Sequence, residues 1–114
     1  MKSIRVILSP RARFTYSDLS QKAEANKVER SIFNAVKNKL ILLKLDHHFG
    51  QPIRKELIPR EYIIENGVRN LFRLELPDYW RMLYAVTNNE SSTEILVIIV
   101  DILSHPDYDK KFGY

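Results

Sequence analysis

The stretch TEILVIIVDIL, residues 93–103, is the most apolar in the chain and predicts a strand at the centre of a β-sheet. Its isoleucines and valines are typical of a strand that is buried on both faces. It runs directly into SHPDYDKKFGY, residues 104–114, which is rich in proton donors and charges. A buried strand that ends in such a segment brings these groups to an edge of the sheet, where they are available for chemistry.

Two strands are predicted before this stretch. VRNLFRLEL, residues 68–76, and YWRMLYAVT, residues 79–87, both alternate apolar and polar side chains, with a turn at LPD between them. A second turn is expected at NNESS, residues 88–92, because asparagine and serine favour turns. Together the three strands form an antiparallel meander.

The first part of the chain predicts one strand and a helical pair. SIRVIL, residues 3–8, alternates and is ended by Pro10. Thr15 or Ser17 then caps a helix to about Ala25, and NKVE, residues 26–29, begins a second helix that stops near Gly50. One bent helix is an alternative to the pair. Residues 51–67 hold two prolines and a glycine and predict an ordered connector with a short helical turn.

This order, β-α-α-β-β-β, predicts a single α+β domain over residues 1–114. The helical hairpin packs on one face of a mainly antiparallel sheet, giving two layers, and the other face stays at least partly open. Strand parity assigns one group to the helix side: Phe72, Leu74, Leu76, Trp80, Met82, Tyr84 and Val86. The opposite face then carries Arg69, Leu71, Arg73, Glu75, Arg81, Leu83 and Ala85. Because Asp101 and His105 share parity, His105 is expected at the rim of that open face, beside Arg81 or Arg73.

Composition narrows the function classes. The chain has no cysteine, which excludes a disulfide framework, a thiolate zinc site and a cysteine nucleophile. His47 and His48 are adjacent, so they cannot form a metal-ligand pair with helical i, i+4 spacing, and no metal or cofactor is expected. No segment is long and apolar enough for a membrane span, so we expect a cytoplasmic protein without a membrane partner. Its first half is basic and its second half is acidic. The basic half suits a phosphate-facing surface, a face that attracts an acidic partner protein, or simply a solvated helix face.

Two segments together resemble the RelE-like superfamily of bacterial and archaeal type II toxins, also called the RelE/ParE superfamily. LFRLELPDYWRMLYAV, residues 71–86, is similar to the family's basic strand, short turn and strand of pattern aromatic-Arg-apolar-apolar-Tyr. ILVIIVDILSHPDYDKKF, residues 95–112, is similar to its C-terminal strand and catalytic segment, which in several members contains His and Tyr. The resemblance in element order covers nearly the whole chain.

This resemblance implies a toxin that acts as a metal-independent endoribonuclease. The implied reaction is cleavage of mRNA, associated with the ribosome, through attack by the RNA's own 2′-OH. The implied partners are mRNA, the ribosome and a cognate antitoxin, and DNA is reached only through the antitoxin complex. Two alternatives remain: a catalytically inactive member that binds a protein target such as gyrase, and a non-toxic RNA-binding module.

The resemblance also assigns phosphate contacts. Arg81 matches the family's arginine after the turn and would hold the scissile phosphate through its planar fork; the alternative is a surface arginine paired with Glu75. Arg73 is the second phosphate-binding candidate, with a cross-strand ion pair as its alternative. Arg69 and Lys110 are further candidates for contact with the RNA backbone.

Three residues are candidates for proton transfer. His105 matches the family's C-terminal histidine, and imidazole is suited to giving and taking protons near neutral pH. Tyr108 would donate a proton or stack on a base, or would simply pack at the edge of the core. Glu75 departs from the family, since some relatives have a basic residue there, and it is either a general base or a sign that the basic site has weakened.

Overall fold

A five-stranded mixed sheet forms the centre of the computed structural model, which describes residues 3–88 and 93–113. Its strands are β1 (Ser3–Leu8), β2 (Gln51–Pro52), β3 (Phe72–Glu75), β4 (Arg81–Asn88) and β5 (Glu94–Leu103). They lie in the order β1-β5-β4-β3-β2. Only the β1–β5 pair is parallel among these strands, and the other three pairs are antiparallel. The predicted α+β class and mainly antiparallel sheet are therefore confirmed, with β2 as an additional short strand.

Strand β5 occupies the interior position that its composition predicted, between β1 and β4. Its pairing with β4 contains a bulge: Leu83 lies opposite Asp101 and Tyr84 opposite Ile99, which leaves Val100 as the extra residue. The extra residue interrupts the alternation of side chains along β5. Asp101 therefore lies on the same face as Val100, away from the helical hairpin. The predicted NNESS turn before β5 lies outside the described residues beyond Asn88.

Two separate helices form the hairpin, α1 (Pro10–Lys22) and α2 (Lys27–Leu45). The prediction that Thr15 or Ser17 caps α1 was wrong. The cap is Ser9, whose side chain accepts a hydrogen bond from the Ala12 amide, and Pro10 is the first helical residue, where its missing N–H costs nothing. The predicted start of the second helix is confirmed, because the Asn26 side chain accepts from the Glu29 amide. No helix in the described ranges is long and apolar enough to cross a membrane.

Helix α2 ends at Leu45, one turn before the predicted stop at Gly50. Gly50 has a different role: a Cβ atom there would lie 2.7 Å from Cε1 of Tyr84. The Gly50 amide donates to the Tyr84 hydroxyl at 2.7 Å, and that hydroxyl donates to the His47 carbonyl at 3.0 Å. Burial raises the pKa of Tyr84, so the phenol stays protonated and joins the end of α2 to the sheet.

The helix-facing side of the sheet is as strand parity predicted. Its core joins α1 and α2 to the strands through Ala12, Leu19, Ile32, Val36, Leu43, Leu74, Leu76, Met82, Tyr84, Val97, Ile99 and Ile102. Phe72, Trp80 and Val86 pack against this core while partly exposed. The burial of these alternate residues is the main hydrophobic contribution to the fold.

The opposite face is more extensively covered than expected. Residues 51–67 contain β2, a one-turn 3-10 helix at Lys55–Leu57, and helix α3 (Arg60–Asn66), and the C-terminal tail forms helix α4 (His105–Phe112). These segments enclose a second core, made of Ile58, Tyr62, Val68, Leu71, Leu83, Ala85, Val100, Leu103 and Tyr108. The cause in the tail is local: Ser104 caps α4, Pro106 lies in its first turn, and Tyr108 and Phe112 are one turn apart on its buried side.

Candidate active site

Glu75 lies between two arginines on the face of β3 and β4 that carries α4. It is directly opposite Arg81 in the strand register, and Arg73 is two residues before it on the same face. One carboxylate oxygen lies 3.1 Å from Nε of Arg73, and the other lies 2.9 Å from Nε of Arg81. A single carboxylate is thus shared by two guanidinium groups.

The guanidinium groups rest on Tyr108, a buried residue of α4. Nη1 of Arg73 donates a hydrogen bond of 3.0 Å to the Tyr108 hydroxyl oxygen. The Tyr108 ring lies 5.2 Å from Cζ of Arg81 and 5.9 Å from Cζ of Arg73, within the range of cation–π attraction. The Tyr108 ring also stacks against the ring of Phe112, with 4.5 Å between centroids. Tyr108 therefore positions both arginines through the packing of α4.

Exposure differs sharply between the cations and the anion of this cluster. The side chain of Arg81 is 14% exposed and that of Arg73 is 30% exposed, whereas that of Glu75 is 59% exposed. Nη2 of Arg73 is further held by the Gln51 side chain at 3.0 Å. The two cations are thus immobilised by the protein, while the anion that faces them is on the solvent side. We call Arg73, Glu75, Arg81 and Tyr108 the arginine cluster.

The turn between β3 and β4 adjoins the arginine cluster. Its central residues, Asp78 and Tyr79, have φ of 58° and 62°, the left-handed conformation that a hairpin turn of this kind requires. Neither is glycine, and left-handed backbone costs a bulky residue about 1–2 kcal/mol. Nη1 of Arg81 donates hydrogen bonds to the carbonyls of Tyr79 and Trp80. The strained turn is therefore tied to the arginine.

His105 is the first residue of α4 and is half exposed. Its ring lies 5.6 Å from the exposed ring of Tyr79, centroid to centroid, and its Nε2 lies 3.4 Å from Oδ2 of Asp109. The sequence predicted that His105 lies beside Arg81 or Arg73. In the structure Tyr79 links His105 to Arg81, because its carbonyl accepts a hydrogen bond from Arg81 and its ring contacts His105. Sequence reasoning did not identify Tyr79 as a site residue. A usable signal was its position as an aromatic residue directly after the Pro-Asp of the turn.

Two candidate phosphate contacts lie outside the arginine cluster. Arg69 is exposed and lies before the start of β3. Lys110 lines a separate cleft between α1 and α4. Strand parity placed Arg69 on the face that carries the arginine cluster. However, β3 begins only at Phe72, so Arg69 is not part of the strand. The sequence also offered no signal for Gln51, which belongs to a strand of two residues.

A buried carboxyl lies behind this face, in β5. Asp101 accepts a hydrogen bond of 2.6 Å from the Tyr62 hydroxyl and one of 3.0 Å from the Ile102 amide. Burial raises the pKa of Asp101, although both hydrogen bonds act in the opposite direction. Burial, then the Asp101 charge, also raises the pKa of Tyr62. The hydrogen bond between Tyr62 and Asp101 joins α3 to the sheet, and its strength depends on pH through the protonation of Asp101.

Across the described residues, no group of three or more His, Asp or Glu side chains is arranged to hold a metal ion. His47 and His48, adjacent in sequence, have rings 3.9 Å apart in the turn after α2, and burial and the neighbouring His48 lower the pKa of His47. The arrangement at the arginine cluster is instead that of an anion site, built from two oriented guanidinium groups on an aromatic platform.

The fold and site thus define an α+β domain with two arginines that share one carboxylate at its sheet surface. No family model matches the chain, and no curated protein matches it.

Proposed function

We propose that the protein is a RelE-like toxin that cleaves mRNA as a metal-independent endoribonuclease. The observation that carries this proposal is the pair Arg73 and Arg81, which are held side by side on Tyr108 and face one exposed carboxylate. A phosphodiester is an anion of similar size and can take the place of that carboxylate. The resemblance of residues 71–86 and 95–112 to the RelE-like superfamily supports the same activity.

In the proposed reaction, the 2′-OH of one nucleotide attacks the adjacent phosphorus. The P–O5′ bond breaks, which leaves a 2′,3′-cyclic phosphate on one fragment and a 5′-OH on the other. A base takes the 2′ proton and an acid gives a proton to the departing 5′ oxygen. Negative charge grows on the phosphate oxygens between these steps, and Arg81 and Arg73 stabilise it because their forks are already oriented.

His105 is the acid–base residue in this scheme. It is half exposed, so it can reach a bound RNA, and Asp109 and Tyr79 orient its ring. Tyr108 has a positioning role, since its hydroxyl accepts from Arg73 and its ring is buried. Glu75 is assigned as an internal anion that holds the arginines until phosphate replaces it, because each of its oxygens faces a guanidinium.

The proposed biological setting is a type II toxin–antitoxin system in the cytoplasm. The toxin acts on mRNA at the ribosome, a cognate antitoxin neutralises it, and DNA is contacted only through the antitoxin complex. The surface of helix α2 supports the proposal of a protein partner. Ile41 and Leu45 are exposed one turn apart on it, among basic residues that include Lys37 and Lys44. Such a surface suits an acidic amphipathic segment.

The test is cleavage of a defined RNA in EDTA, with and without programmed ribosomes. We expect fragments that end in 2′,3′-cyclic or 3′-phosphate and begin with 5′-OH. Activity only with ribosomes would identify the ribosome as part of the active complex. A strict requirement for a divalent cation, or fragments that carry 5′-phosphate, would contradict the mechanism.

A second candidate function is that of a catalytically inactive member of the same family that binds a protein. The observation in its favour is Glu75, which offsets one of the two positive charges of the arginine pair from within the chain. If this candidate is right, Arg81→Ala and His105→Ala proteins remain fully toxic at equal expression, and no RNA fragments accumulate with either.

A further inference from the structure

A cleft of about 820 Å³ opens between α1 and α4 at the carboxyl end of β5. Its position follows from the topology: β1 and β5 are parallel, and each leads directly into a helix, so α1 and α4 begin at the same edge of the sheet. Crevices outside the carboxyl ends of parallel strands are common ligand sites in α/β sheets. The volume lies within the usual range for a small-molecule site.

Aromatic and apolar side chains line one part of this cleft. Phe14 of α1 is 77% exposed, Trp80 forms part of the wall, and Ile102 and Leu103 are buried behind them. An aromatic ring with so little protein around it contributes little to the core. Its flat surface is available for stacking on a ligand ring, as in proteins that bind single-stranded RNA.

The charged side chains of the cleft fall into two groups. One group is engaged: Glu61 pairs with Arg11 at 3.2 Å and with Lys111 at 2.8 Å, which joins α3 to α1 and α4. Asp18 pairs with Lys22 at 3.0 Å, and Asp101 accepts the hydrogen bond from Tyr62. A hydrogen bond from Arg11 to Glu65 raises the pKa of Arg11 and lowers that of Glu65. Both side chains therefore stay ionised. The other group is Asp107 and Lys110, whose side chains have no ion pair or hydrogen bond within the described residues.

The cleft also adjoins the candidate active site. Trp80 immediately precedes Arg81, and Ser104 and Asp107, both in the cleft lining, flank His105. A nucleotide next to the phosphate on Arg73 and Arg81 would reach the cleft by way of His105, whose chain neighbours belong to the cleft lining. The cleft offers that nucleotide an aromatic ring, a free carboxylate and a free ammonium group.

We propose that this cleft binds a nucleotide that flanks the scissile phosphate, with its base stacked on Phe14. The Asp107 carboxylate accepts hydrogen bonds from the base, which favours bases with an exocyclic amino group over uracil. Lys110 contacts the flanking phosphate. This inference rests on the proposed function for the identity of the ligand, and it assigns Phe14, Asp107 and Lys110 to substrate selection rather than to bond cleavage.

Trp80 is the single tryptophan of the chain, so its fluorescence reports on the cleft. The probes are short 2′-O-methyl oligoribonucleotides, which lack the attacking hydroxyl and cannot be cleaved by the proposed reaction. We expect Trp80 emission to change on binding, with cytosine-, adenine- or guanine-containing probes bound more tightly than oligouridine. Phe14→Ala should weaken binding about 10-fold, the usual scale of one stacked base. Asp107→Asn should reduce the preference among bases.

Ile64→Ala is the matched control, because Ile64 is 71% exposed, close to the 77% of Phe14, and is not part of the cleft lining. Equal affinity of the Phe14→Ala and Ile64→Ala proteins, or emission that no oligonucleotide changes, would overturn the nucleotide site. RNA cleavage by the wild type with an unaffected Phe14→Ala protein would uphold the proposed function alone. Weaker binding by Phe14→Ala without any cleavage by the wild type would uphold the cleft alone.

Discussion

Glu75 and Arg81 face each other across strands β3 and β4, with a carboxylate oxygen 2.9 Å from Nε of the arginine. The same carboxylate also contacts Arg73. Because the guanidinium groups are mostly buried and the carboxylate is mostly exposed, the internal anion occupies the side from which a phosphate would approach. The two roles that the sequence left open for Glu75, general base or sign of a weakened basic site, predict opposite effects on cleavage when its charge is removed.

Glu75→Gln should tighten RNA binding by about 3- to 10-fold at low salt, because phosphate no longer displaces a charged competitor. Single-turnover cleavage should be unchanged or faster. Affinity is measured by fluorescence anisotropy over a range of salt concentrations. A loss of 100-fold or more in rate, with RNA affinity retained, would instead make Glu75 the general base.

Arg81→Lys should lower the cleavage rate far more than it weakens RNA binding. Lysine keeps the charge but loses the planar fork that matches phosphate oxygens as their charge grows. We expect a decrease of about 10²-fold in single-turnover rate, the scale for loss of one oriented donor, with a several-fold change in affinity. Equal losses in rate and affinity would mean that Arg81 only binds substrate.

His105→Ala should lower single-turnover cleavage by about 10²- to 10⁴-fold, the usual contribution of general acid–base catalysis. The residue is half exposed, so folding and RNA affinity should change little. His48→Ala is the control, since His48 is also exposed and lies in the turn after α2. Unchanged cleavage by the His105→Ala protein would remove His105 from the mechanism.

Tyr79→Gly should stabilise the protein and reduce its activity. Glycine adopts φ of 62° without steric cost, so the free energy of unfolding should rise by about 1 kcal/mol, or about 3–6 °C in Tm. The same change removes the ring that contacts His105. Asp78→Gly relieves strain at the adjacent residue and keeps the ring, so it should stabilise the protein without loss of activity. If both variants lose activity equally, the turn backbone matters and the Tyr79 ring does not.

Asp101→Asn should change how stability depends on pH. The folded-state pKa of Asp101 is raised above its ordinary value of 3.8, so the folded protein binds a proton there more tightly than the unfolded chain does. Its contribution to stability is therefore fully present below about pH 4 and is lost as pH rises through the folded-state pKa. The stability of wild type minus that of Asp101→Asn, from urea denaturation at several pH values, should fall over this window. A flat difference would show that Asp101 titrates normally.

Local patterns in the sequence were sufficient for most of the secondary structure. The apolar run of residues 93–103 predicted an interior strand because such a composition is stable only when both faces are covered. Alternation in β3 and β4 predicted which side chains face the helices, because the two-residue period of a strand is a property of the backbone. The start of α1 was predicted too late, because Pro10 was taken only as the residue that ends the first strand. Proline is equally suited to the first position of a helix, which is the place it has in α1.

The grouping of the candidate site depended on contacts distant in sequence. Arg73, Glu75 and Arg81 were identifiable in advance, since cross-strand neighbours follow from a short turn. Their attachment to Tyr108 depends on how α4 folds back over the sheet, and no local pattern specifies that path. The sequence by itself determined which residues are candidates for the chemistry, because residue type and strand period are local. Tertiary structure alone decided that Tyr108 supports the arginines and that Lys110 faces another cleft, because helix packing is set by the burial of side chains from the whole chain.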